Sequence, residues 1–197
     1  MGKVYAVRKG RKTGLFYSWP ECQEQIKGFS GAEYKSFAYE VDAVQYLSGA
    51  HKVVDAKCIT HSYAFTDGSY NPSTHVYGYG GYVVDAHGVR HTIQGSGSDP
   101  TLSSMRNVAG EIAGSEAAVR KAIELGLETV TVFYDYEGVE RWATGGWSAN
   151  KPGTQSYQHV MSKLMSQIKV QFVHVKGHSG VAGNELADQL AKEVVGL

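Results

Sequence analysis

The sequence is short of the residues that staple small proteins together. Its 197 residues include only 2 cysteines, Cys22 and Cys58, and 4 prolines. Two cysteines cannot build a disulfide framework, and their separation offers no metal-binding pair, so both read as reduced thiols. No apolar run approaches the roughly 18 residues of a membrane span. The opening MGKVYAVRKGRK lacks the apolar segment of a secretory signal, and Ala6 stands where a myristoylation pattern wants Ser or Thr. The expectation is a cytoplasmic protein with no membrane partner. Net charge is missing too, because 19 Lys and Arg balance 19 Asp and Glu. That balance hides a split. Residues 1–35 carry seven basic residues (Lys3, Arg8, Lys9, Arg11, Lys12, Lys27, Lys35) against three acids, and the remainder is acidic to the same degree. A basic end on an acidic body suits an end that touches a polyanion and a body that holds cations.

What is present is pattern. Residues 3–8 alternate and predict a strand, RKGRKTG a turn, and LFYSW a second strand. Ser18 is placed to cap a helix opening at Trp19-Pro20 and closing before Gly28. YKSFAY predicts a third strand and residues 41–48 a helix. Residues 1–48 thus read as a small α+β domain of order β-β-α-β-α, near the lower size limit for folding alone. Phe29, Phe37 and Tyr46 are its expected core. Residues 49–61 show no period and read as a linker to a second domain, 62–197.

That second domain opens with YAFTD (63–67), a strand expected to end at its aspartate before a turn rich in Gly, Asn and Pro. Strands over 78–85 and 89–97 complete an antiparallel meander. An amphipathic helix over 107–126 leads to a β-branched strand, 128–135, which also ends at an aspartate. Helices over 137–144 and 154–167, a strand over 169–175 and a closing helix over 183–195 follow. The order implies an α/β fold with a mixed five-stranded sheet and flanking helices.

Four acids stand out. Asp67 and Asp135 terminate apolar strands, Glu111 is crowded by small neighbours in NVAGEIAG, and Asp188 shares a helix face with Leu186, Leu190 and Ala191. An aspartate after a strand is ordinarily a turn or cap residue. Two on one sheet rim, with helices able to add a third and fourth acid, suggest a carboxylate cluster, which needs a cation to be stable. Hard oxygens suit Mg²⁺ or Mn²⁺. Two such ions about 4 Å apart serve an in-line phosphodiester displacement.

These residues also carry a family resemblance. TDGS (66–69), the GE of NVAGEIAG (110–111), YD (134–135) and VKGHSGVAGNELAD (175–188) resemble, in order and spacing, the four signature segments of type 1 ribonuclease H. YAVRKGRKTGLFYSWPECQEQIKGF with YKSF resembles the small hybrid-binding domain joined to many members, over residues 3–48. The resemblance implies a ribonuclease-H-like fold and an endonuclease that hydrolyses the RNA strand of RNA–DNA hybrids with two Mg²⁺ ions, or Mn²⁺ in their place. The ends left would be 5′-phosphate and 3′-hydroxyl. It implies Asp67, Glu111, Asp135 and Asp188 as metal ligands, His178 as a loop histidine assisting proton movement or product release, and Glu185 as a neighbour tuning product departure. Asn107, Ser69 and Asn71 are implied to touch the RNA strand through the minor groove. Tyr5, Trp19 and Tyr34 are implied to face the DNA strand, with Lys35, Arg8 and Lys12 meeting phosphate. Partners would be the hybrid and double-stranded RNA, and the protein a monomer.

There are departures. Residues 140–154 hold only Arg141 and Lys151 where some members carry a basic protruding helix, so affinity is expected to lean on the N-terminal domain. Arg106 occupies a place where a small hydroxyl is common, leaving Ser103, Ser104, Thr154 and Gln155 as phosphate-contact candidates. Three other readings are weighed: a carboxylate-cluster 3′–5′ exonuclease, which would want Asp-x-Glu where Ser69 stands; a non-catalytic hybrid or double-stranded RNA binder, which has no use for gathered acids; and a transposase-like strand-transfer enzyme, which shares the fold type but would be expected to carry extra DNA-binding regions.

Overall fold

A computed structural model describes residues 3–37, 40–48, 62–175 and 182–197. The expected linker, 49–61, lies outside them. The chain divides into two compact units. Among the described residues no helix is long and apolar enough to cross a membrane.

The first unit comprises β1 (Val4–Lys9), β2 (Gly14–Phe16), α1 (Trp19–Ile26), β3 (Glu33–Phe37) and α2 (Glu40–Ser48). Its sheet has the order β2-β1-β3, antiparallel throughout. Ser18 caps α1 as expected. Its hydroxyl accepts from Glu21 N while the Glu21 carboxylate accepts from Ser18 N, so two otherwise orphaned donors are satisfied together. The core is not the expected aromatic trio. Val4, Ala6, Val7, Leu15, Cys22, Ala43 and Val44 are buried, while Phe29, Phe37 and Tyr46 are half-buried. The helices lie close enough to the sheet that small aliphatic side chains fill the gap.

The second unit contains β4 (Tyr63–Asn71), β5 (Val76–Val84), β6 (Arg90–Gly97), α3 (Pro100–Ser103), α4 (Asn107–Glu124), β7 (Thr129–Tyr134), α5 (Gly138–Ala143), α6 (Pro152–Met165), β8 (Lys169–His174) and, from Leu186 on, α7 (Ala182–Glu193). The five-stranded sheet has the order β6-β5-β4-β7-β8. β4, β5 and β6 form an antiparallel meander, and β7 and β8 run parallel to β4. Ala64, Val83, Val119, Val130, Val132 and Met161 anchor its core. Fully burying each of the larger ones contributes about 1.5–3 kcal/mol.

One expected boundary is corrected. β4 does not stop at Asp67 but continues to Asn71, paired with β5 through Asn71↔Val76. Gly68, which reads as a turn signal, instead permits contact. A Cβ there would stand 2.3 Å from Glu111 N, so α4 rests directly on the strand. Gly110 answers from the helix side, where a Cβ would lie 2.1 Å from Gly78 O. Gly80 receives α7 in the same way, with Ala191 N 2.2 Å from an added Cβ. Any larger residue at these crossings would separate the layers.

Candidate functional site

The parallel register of β4 and β7 pairs Phe65 with Phe133. Two residues further along each chain stand Asp67 and Asp135, just where β7 ends. The glycine contact at Gly68 and Gly110 drops Glu111 onto the same spot. Ligand oxygens of Asp67, Glu111 and Asp135 lie within 4.8 Å of one another.

The electrostatics of this trio are unfavourable in the absence of a cation. Asp67 is 7% and Glu111 5% exposed. Burial is the main force raising Asp67 to about 6, and the charges of Asp135 and Asp188 add to it, against bonds from Glu111 and the Gly68 amide that lower it. The Gly68 N–H donates to Asp67 Oδ1 at 2.7 Å. Glu111 is driven well above the ordinary carboxylate range by burial first and then by the charges of Asp67 and Asp135. Glu111 Oε2 is buried with no hydrogen-bond partner among the described residues. A buried carboxylate oxygen without a donor costs about 1–3 kcal/mol or more. A hard divalent cation would satisfy that oxygen and relieve the mutual repulsion, so the donor set fits Mg²⁺ or Mn²⁺.

Asp188 stands beside this group and not within it. It is partly exposed on α7, and its Oδ2 accepts from Lys192 Nζ at 2.7 Å, yet its charge reaches Asp67. Glu185 is exposed in the first turn of α7. His178 lies outside the described residues.

The expected RNA contacts divide. Asn107 is exposed at the start of α4, and Ser69 is buried on β4 beyond Asp67. Asn71 has another role. Its Nδ2 donates to Val195 O at 2.8 Å, and its Oδ1 accepts from Ser73 N at 2.9 Å and Thr74 N at 3.4 Å. The amide is engaged with the β4–β5 turn and with the chain after α7. The proposed phosphate hydroxyls are similarly committed. Ser103 Oγ donates to His75 O, Ser104 Oγ to Thr101 O, and Thr154 Oγ1 to Lys151 O.

A groove of about 400 Å³ that sequence reasoning missed is lined by Tyr136, Trp142, Met105, Val108, Asn150 and Lys151, among others. Tyr136 follows Asp135 directly. Its ring lies 5.9 Å from that of Trp142, which in turn meets Trp147 at 5.7 Å. The aromatics of YEGVERWATGGW were its available signal.

In the first unit, Trp19 is the middle of three rings, 5.5 Å from Tyr5 and 6.0 Å from Tyr34. Trp19 is 41% and Tyr34 44% exposed, a large apolar surface to leave in water. Lys35 is exposed, with its Nζ 5.4 Å from the Phe37 ring centroid. Arg8 is engaged within the unit. Its guanidinium stacks 4.1 Å over the Tyr46 ring and donates through Nε and Nη2 to Tyr46 O. Arg11 is likewise occupied, donating to Glu24 O and Lys27 O at the end of α1.

Comparison with known proteins matches both units. A family model described as RNase H matches residues 60–195, and one described as Ribonuclease H1 N-terminal domain matches residues 3–47. The chain is similar to Ribonuclease H1 of Homo sapiens, 27% identical over a 255-residue alignment covering 98% of this chain and 89% of that protein. It is 31% identical over 144 residues to Ribonuclease H of Francisella tularensis subsp. novicida, covering 67% of this chain and 89% of that one. Among solved structures, RNase H1 from Halobacterium salinarum NRC-1 superposes with a TM-score of 0.56 at 24% identity, covering 68% of this chain and 97% of that chain. LC11-RNase H1, solved in complex with an RNA/DNA hybrid, gives 0.54 at 16% identity, covering 68% and 99%. At those identities the structures speak for the fold.

Proposed function

The chain belongs to the ribonuclease H family of hydrolases, and from that premise we propose that it is an endonuclease cutting the RNA strand of RNA–DNA hybrids through a two-metal carboxylate site. The observation that carries the reading is the buried trio of Asp67, Glu111 and Asp135 with an unsatisfied Glu111 oxygen.

Asp67, Glu111 and Asp135 would hold the divalent ions, with Asp188 joining from α7. Bound there, divalent ions would supply an activated water and charge neutralisation for phosphodiester hydrolysis, for which 5′-phosphate and 3′-hydroxyl ends are proposed. The protein supplies position. β4 and β7 fix two carboxylates by parallel register, and α4 fixes the third by its glycine contact. Glu185 and His178 complete the catalytic set proposed from the sequence.

Selectivity follows from shape and sugar chemistry. Asn107 and Ser69 are proposed to contact RNA 2′-hydroxyls from the minor groove, the side on which an RNA-containing duplex can be read. The Tyr136–Trp142 groove, carrying Lys151, is proposed to take the DNA strand, because rings pack well on a sugar without a 2′-hydroxyl. In the first unit Trp19, Tyr5 and Tyr34 present a stacking face, and Lys35 is proposed to meet phosphate. Residues 1–48 would then act as the hybrid-binding domain, with 49–61 as a linker to a catalytic domain, 62–197. Joining two modules raises the effective concentration of hybrid at the catalytic unit. We extend the proposal to a monomer working in a reducing cytoplasm, supported by the scarcity of cysteine.

The test is a hybrid labelled on each strand in turn, incubated with Mg²⁺ and then with chelator. Internal cuts in RNA alone that vanish with chelator support the reading. Trimming from one end, or cutting of DNA, overturns it.

A further inference from the structure

We propose that Lys192 is a built-in counter-ion of the carboxylate site, holding Asp188 until a divalent cation takes its place. The inference rests on the metal-site reading above and concerns how that site is loaded. Lys192 lies one turn beyond Asp188 on α7, with Nζ 2.7 Å from Asp188 Oδ2. The Gly80 contact with Leu190 and Ala191 holds this part of α7 against β5, and Gly80 is the register partner of Asp67. The ion pair on α7 therefore borders the strand that carries Asp67. Asp188 in turn adds its charge to the repulsion at Asp67.

Two facts make this pair more than a surface ion pair. Asp188 is the one sequence-predicted metal ligand that does not fall within the 4.8 Å oxygen cluster. Its Oδ2 is engaged by the ammonium, and one oxygen cannot serve a lysine and a metal ion in full at the same time. The lysine side chain is also 47% exposed, so it can leave toward water. Loading is then an exchange in which the ammonium moves out, Asp188 turns inward and a cation arrives. In the metal-free protein the lysine screens an acid that would otherwise face the trio uncompensated. With metal present it is a competitor, and it sets affinity below what the acids alone would give.

The test uses the full chain with Mn²⁺ alone, without nucleic acid, titrated by calorimetry, and with the melting temperature followed with and without metal. Lys192→Met should bind the weaker ion roughly three- to tenfold more tightly than the parent, since one positive charge has been removed near a dication. Lys192→Gln should behave alike if the methionine disturbs folding, and Lys192→Arg should stay near the parent. Asp188→Asn should bind more weakly. The metal-free Lys192→Met protein should also melt lower and recover more on adding Mn²⁺. Unchanged or weaker Mn²⁺ binding in both neutral variants, with the parent binding normally, overturns the exchange and leaves the metal site standing. A parent that binds no Mn²⁺ removes the metal site and this inference with it.

Discussion

His174 Nε2 lies 2.9 Å from the main-chain carbonyl oxygen of Asp135, at the point where the parallel ladder between β7 and β8 ends with Tyr134↔His174. The carbonyl has passed the last rung of the ladder, and the imidazole N–H donates in place of the next one. The ring also packs 5.5 Å from that of Tyr134, whose hydroxyl donates to Glu140 at 2.5 Å. One face of β7 is thus pinned while its end delivers Asp135. Replacing His174 by Leu should lower turnover about tenfold at saturating hybrid, with the KM for hybrid nearly unchanged, as expected for a partner that orients a ligand. His174→Asn should recover part of the loss. Steady-state kinetics at several Mg²⁺ concentrations would check this, and unaltered turnover in the Leu variant would dismiss the role.

The trio itself should respond as a unit. Glu111→Gln and Asp135→Asn should each reduce cleavage by about a thousandfold or more, since ligand loss removes a large share of charge stabilisation. Hybrid binding, measured by anisotropy, should survive both. Mg²⁺ should raise the melting temperature of the parent and fail to do so for Glu111→Gln.

Acid should stabilise the metal-free protein. Asp67 is raised to about 6 in the fold from 3.8, mainly by burial. Between those values the native state binds more protons than the unfolded chain, so stability falls as pH rises through that window. Asp67 accounts for up to about 3 kcal/mol of this, shared with Glu111 because the two titrate together. Urea midpoints in chelator should therefore drop between pH 4 and pH 6. Asp67→Asn should flatten that slope, and a slope equal to the parent's would refute the assignment.

Two residues of the first unit should separate binding from folding. Trp19→Ala should weaken hybrid affinity about tenfold or more while leaving turnover at saturation nearly intact. Arg8→Ala should act on stability, because its guanidinium is tied to Tyr46. Thermal melting and hybrid titration of both variants would show the split. Loss of turnover in saturated Trp19→Ala would count against it.

Gly68→Ala should be among the most damaging small substitutions. A Cβ at 2.3 Å from Glu111 N must push α4 off β4. The expected cost is about 3 kcal/mol or more, together with weakened metal binding, both readable from melts with and without Mg²⁺. Gly88→Ala makes a useful contrast: nothing lies within 4 Å of the added Cβ, although its positive φ of 80° brings local strain.

The chemistry of the acids was legible because strands and helices obey simple periods. Apolar alternation marked β4 and β7, and the aspartates sat where the runs broke off. The extent of β4 was not legible, because Gly68 and Asn71 are turn formers by type. Their real tasks, helix contact and a hydrogen bond to Val195, depend on partners remote in sequence. The engagement of Arg8 was hidden for the same reason. A cation in a basic segment looks available until Tyr46 is folded over it. The Lys192–Asp188 pair was visible as an i,i+4 spacing, but only the docking of α7 shows that it borders the site.

The crossover from β4 to β7 has a consequence for biogenesis. Emerging from a ribosome, the polypeptide would display Asp67 long before α4 and β7 exist to meet it, and α7 would arrive last of all. Such long-range pairing is slow relative to helix formation. A nascent fragment that ends before α7 therefore lacks part of the proposed carboxylate centre.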